Sequence, residues 1–141
     1  MNEQSHIAIV PEEPRGWPEI EYATQKAVAR LGNLATHVDQ LASKFPLNSS
    51  PGLRSQMRRA ALDALTNVAC GLEATSAHDY RQLMLRSRCA LSELDTFARL
   101  GGKSSVITPT EVSHLALLVQ QADHAVRLGL QECQPLLRGA A

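Results

Sequence analysis

Apolar residues recur every three or four positions through most of the chain, the period of an α-helix with one buried face. From Pro18 to Ser43 the apolar set is Ile20, Ala23, Ala27, Leu31, Leu34, Val38 and Leu41. Pro18 suits a first helical turn, and Glu19 and Glu21 complement the positive end of the helix dipole. Phe45-Pro46 ends the segment, because the residue before a proline leaves the helical region. Residues 1–17 carry Pro11, Pro14 and Gly16 and read as an irregular arm, with Trp17 as a packing anchor at its junction with the helix.

The second helix is predicted from Pro51 to Cys70, with Ser50 as cap, Pro51 in the first turn and Gly71 as stop. Leu53, Met57, Ala60, Ala61, Ala64 and Val68 form one stripe on it, and Leu62, Leu65, Ala69 and Leu72 form a second beside the first. Ser76 caps the third helix, with Asp79 three residues on; its apolar set is Tyr80, Leu83, Met84, Leu91, Leu94 and Ala98, and Gly101-Gly102 closes it. Thr108-Pro109-Thr110-Glu111 is a complete capping box opening the fourth. That helix carries Val112, Leu115, Ala116, Val119, Ala122, Val126 and Leu130, with Leu117, Leu118, Ala125 and Leu128 on adjoining faces. It is expected to fade at Pro135, leaving residues 136–141 as a tail.

Four helices of similar length joined by short connections predict an all-α fold, an up-down-up-down antiparallel four-helix bundle over residues 18–135. The second and fourth helices are apolar over more surface than one bundle covers, which points to a subunit interface.

Composition refines this picture. At 141 residues the chain has the length of one domain, and its 4% aromatic share suits close-packed helices. The net charge is zero but unevenly placed: residues 1–21 hold five acids against Arg15, leaving a mildly basic body. That is not the strong basic footprint of a dedicated nucleic-acid binder. Cys70, Cys89 and Cys133 are odd in number and fall within predicted helices, so reduced, mostly buried thiols are expected rather than a disulfide framework. Ile7 to Val10 is too short an apolar run for a signal peptide or a membrane span, which makes the cytoplasm the default.

Candidate chemistry is thin. A carboxylate-bridged two-metal bundle needs two Glu-x-x-His motifs, and the chain offers one, Glu111 to His114, with Glu111 already used in the capping box. His37, His114 and His124 fall on different helices or faces, and the cysteines lack an evident base; Arg88 is next to Cys89, but neighbours in a helix point about 100° apart. No metal, cofactor or catalytic residue is therefore expected; a metal-binding or catalytic bundle is the alternative. Arg54 and Arg58 share a face one turn apart and are the candidates for gripping phosphates or another partner. Pairing within the fold is the stronger reading for the arginines, with Arg59 expected as the buried partner of Glu93 and Arg54 left free for a ligand. Asn67, polar in an apolar helix, is expected to hydrogen-bond between helices.

Gln25-Lys26-Ala27, Phe45-Pro46, Leu53, Ser55 to Ala61, Asn67-Val68, Gly71, Leu91, Glu93-Leu94 and Thr96 recur in order and in register. Through them residues 24–130 resemble the four-helix-bundle proteins of 23S ribosomal RNA intervening sequences, a family that includes the accessory variability determinant of diversity-generating retroelements. Cys70 stands where the family usually has Glu, and Cys89-Ala90 where it commonly has Gly-Ser. The resemblance implies a ring-like homopentamer without catalytic activity, which in the retroelement branch binds a reverse transcriptase and nucleic acid. The expected function is thus a non-enzymatic homo-oligomeric scaffold for RNA or a nucleic-acid-processing protein.

Overall fold

Two side-chain caps fix where helices begin. In a computed structural model that describes residues 16–46 and 51–139, the Thr108 hydroxyl accepts from the Glu111 amide at 3.1 Å, and the Glu111 carboxylate accepts from the Thr108 amide at 3.0 Å. Ser76, in extended conformation, accepts from the Asp79 amide at 3.1 Å. Four helices result: α1, Trp17–Ser43; α2, Pro51–Gly71; α3, Ala77–Lys103; and α4, Pro109–Gly139. The arm before Gly16 and the expected Ser50 cap lie outside the described residues.

Each helix packs on its neighbours in sequence, and α1 also packs on α4, which closes a four-cornered bundle. Side-chain pairs give the directions. Arg58 meets Asp39, Ser87 meets Ala64, Arg88 meets Asp123 and Arg30 meets Gln121. Asp39 is late in α1 and Arg58 early in α2, while Ala64 is late in α2 and Ser87 in the first half of α3. Cys133 near the end of α4 reaches the Ala77 carbonyl at the start of α3, and Gly16 before α1 lies against Leu136 near the end of α4. Every adjacent pair is therefore antiparallel. Among the described residues no helix is long and apolar enough to cross a membrane.

The core is built from the predicted stripes. Leu31, Leu34 and Val38 of α1, Met57, Ala61, Ala64 and Val68 of α2, Leu91 and Leu94 of α3, and Leu115, Ala122 and Val126 of α4 are all buried. One polar knot crosses it. Thr24 donates to the Ile20 carbonyl at 2.5 Å, so its oxygen is left to accept from the Tyr80 hydroxyl at 2.7 Å. The Tyr80 ring is wholly buried, and a β-carbon at Gly129 would collide with its hydroxyl oxygen. Gly129 is therefore the place in α4 where the tyrosine fits.

Two helix ends differ from the expected ones. Gly101 and Gly102 do not stop α3; they lie in its last turn, and a β-carbon there would meet Ile107 and Val112, so these glycines let the 104–108 turn close onto the helix. Nor does α4 fade at Pro135. A proline removes one amide donor, but Cys133 before it is buried and Leu136 and Leu137 after it pack on the core, which holds the helix together as far as Gly139. Gly16, with φ of 99°, sits against Leu136 and Glu132, and Trp17 packs on the core as expected.

Candidate interaction surfaces

The arginines of α2 are assigned differently from their expected roles. Arg54 donates from Nη2 to the Phe45 carbonyl at 2.7 Å, tying the first turn of α2 to the chain just beyond α1. Carbonyls past a helix C-terminus lack helical donors and attract a cation, so this arginine is engaged by the fold rather than free. Arg58 lies 2.9 Å from Asp39 of α1, a close ion contact rather than an in-line hydrogen bond.

Arg59 is not a buried partner of Glu93. Its side chain is 79% exposed and reaches only Asp63, one turn along its own helix, at 3.8 Å, while Glu93 is exposed on α3. Across the α2/α3 contact Ser87 donates to the Ala64 carbonyl at 2.9 Å, while Arg59 stays exposed to solvent. Asn67 is half-buried and donates to the Asp63 carbonyl of its own helix at 2.8 Å, not across helices. With Glu93, Arg86 and Cys89 it lines a groove between α2 and α3.

Other polar contacts were not legible beforehand. Arg88 of α3 forks onto Asp123 of α4, at 2.8 Å from Nε and 3.4 Å from Nη2, and Arg127 approaches the same carboxylate at 3.2 Å. His37 and His114, expected on separate faces, meet edge-to-face with ring centroids 4.7 Å apart. Burial lowers the His37 pKa below the ordinary 6.5; His114 and Lys44 push the same way, and Glu111 opposes them. Its Nε2 is shielded from solvent and has no hydrogen-bond partner among the described residues. Seven residues separate Arg30 from His37 and seven separate His114 from Gln121, so one antiparallel register produces both contacts. Two histidines and a capping glutamate do not make a metal centre, and among the described residues no group of three or more potential ligands converges.

The thiols are also distributed differently from expectation. Cys133 is buried, with its pKa raised by that burial, whereas Cys70 and Cys89 are exposed; all three are free. They fall just off the apolar stripes of α2 and α3, where helical geometry turns a side chain outward.

Most large apolar side chains left outside the core occupy two faces, with Leu100 exposed on α3 apart from both. Leu62 (55% exposed) and Leu72 flank half-buried Leu65 and Ala69 on the side of α2 that carries Arg58 toward α1. On the α1/α4 face, Tyr22 (62% exposed) and Leu128 border a groove of about 680 Å³ that also takes in Lys26, Arg30, His124 and Glu132. Leu117, 51% exposed, stands on α4 beyond the groove's far end. The family model described as 23S rRNA-intervening sequence protein matches residues 24–126, a span that reaches into all four helices. A search of curated proteins finds no match to the chain.

Proposed function

The chain belongs to the 23S rRNA-intervening sequence protein family, and from that premise we propose that it is a non-enzymatic scaffold that assembles with copies of itself. The assembly is a closed ring, five-membered as the resemblance implies, and it works in the cytoplasm by holding RNA or a protein that processes it. The observation that carries the reading is the second stripe of α2. Leu62 and Leu72 remain exposed around Leu65 and Ala69 after the core is complete, and a row of leucines on an otherwise charged surface is what a subunit contact covers.

Arg54 is committed to the Phe45 carbonyl, so the cations available to phosphate are the outward ones, with Arg59 foremost. RNA retention by the purified full chain, titrated with salt, tests this part. Retention is expected to decline steeply with salt, and Arg59→Ala is expected to reduce the slope of log K against log salt by about 0.7–0.9. No retention at low salt removes RNA as the partner and leaves a protein.

A further inference from the structure

We propose that the α1/α4 face is a self-complementary contact on which a second copy of the chain docks, with its α1 laid antiparallel on the first. The face carries charges that the fold leaves unused. Among the described residues Arg58, Arg59, Arg88, Arg99 and Arg127 each find a carboxylate, whereas Glu19, Lys26, Arg30 and Glu132 of the groove form no ion pair. All four are exposed, and two large apolar side chains, Tyr22 and Leu128, stand exposed between the acids and the bases.

The order of these groups decides what fits. The register that sets Arg30 against Gln121 and His37 against His114 also places Glu132 level with Glu19, Leu128 with Ala23 and His124 with Ala27. One end of the groove is therefore acidic, its middle apolar and its other end basic, with Glu19 and Arg30 about 16 Å apart along α1. A contact between identical surfaces must bring each feature against its complement under a twofold rotation. With the axis running across the helices, α1 lies on the second copy's α1 in the opposite direction. Glu19 then meets the second copy's Arg30, and Arg30 meets the second copy's Glu19. On α4, Glu132 meets the second copy's stretch from Gln121 to His124. Tyr22 and Leu128 fall beside the axis, where both copies cover them. With the axis running along the helices, acid would face acid and base would face base, so the antiparallel arrangement is the one that satisfies the charges.

Exposed ion pairs and two apolar side chains from each copy make a weak contact, with pairing at about 10⁻⁴ M rather than in the micromolar range. The proposal rests on the reading that copies of the chain associate, but it uses a different face from the Leu62–Leu72 stripe. A parent protein that is a single subunit at micromolar concentration would refute the ring and leave this contact to its own test.

That test is sedimentation equilibrium of the full-length Leu62→Asp chain, which removes the stripe's contribution. At low salt its mass is expected to double between about 10 µM and about 1 mM. Arg30→Glu alone and Glu19→Arg alone, each in that background, are expected to weaken pairing by about tenfold or more, because each sets like charges against one another. Mixed in equal amounts, the two variants are expected to pair again, since each offers the sign that the other lacks. Both positions are solvent-facing, and circular dichroism of each variant checks that the bundle is intact. A mass that does not change with concentration overturns the proposal. So does pairing indifferent to either charge reversal, or a mixture that pairs no better than its components.

Discussion

Replacing Gly129 with alanine tests whether the bundle is fitted around the Tyr80 hydroxyl. The new methyl group would collide with that oxygen, while the ring carbon that bears it lies 3.4 Å away, a contact the structure tolerates. Tyr80 is wholly buried and cannot swing aside, so overpacking should cost about 1–3 kcal/mol, partly offset by about 1 kcal/mol of improved helix propensity. Tyr80→Phe removes the oxygen and its hydrogen bond to Thr24, a loss of about 1 kcal/mol for a neutral pair. The two changes must not add. In the phenylalanine background the alanine should be neutral or stabilising by up to about 1 kcal/mol, giving a coupling of about 1–3 kcal/mol between the sites. Urea unfolding of the parent, both single variants and the double variant, at one protein concentration, measures it. Additivity within about 0.5 kcal/mol would refute the reasoning, because it would mean the hydroxyl is not what Gly129 accommodates.

Arg54→Ala should destabilise the protein by about 1 kcal/mol, below the range for a buried charged hydrogen bond because the side chain is only part-buried; an unchanged urea midpoint would show the Phe45 carbonyl is equally well served by water. The depressed pKa of His37 makes the unfolded chain the better proton binder below the ordinary value of 6.5, so this group's contribution is constant above that pH and falls as pH drops through it toward the lower folded value. His37→Phe should flatten the stability profile across that window, and an identical profile would place its cause elsewhere. A thiol reagent should modify Cys70 and Cys89 rapidly and Cys133 only on unfolding; three equally fast thiols would contradict the burial of Cys133.

Local chemistry was legible in the sequence where it depends on neighbours along the chain. The capping box at Thr108 and the cap at Ser76 form as their spacing predicts, and the apolar stripes name most of the core. What helices do to each other was not legible. His37 and His114 meet only because α1 and α4 adopt one antiparallel register, which no local pattern encodes. Arg59 was matched with Glu93 on chemical grounds alone, but both side chains are exposed and Arg59 reaches Asp63 on its own helix instead. Pro135 misled in the opposite direction, since a single lost amide bond is outweighed by Cys133, Leu136 and Leu137 packing beyond it.

Light scattering on a sizing column, at micromolar concentration, tests the central claim of self-assembly most directly. For a 15.3 kDa chain the account predicts a particle of about five subunits' mass, reduced to smaller species by Leu62→Asp with helicity retained. A parent protein that elutes and scatters as a single 15.3 kDa subunit would contradict it.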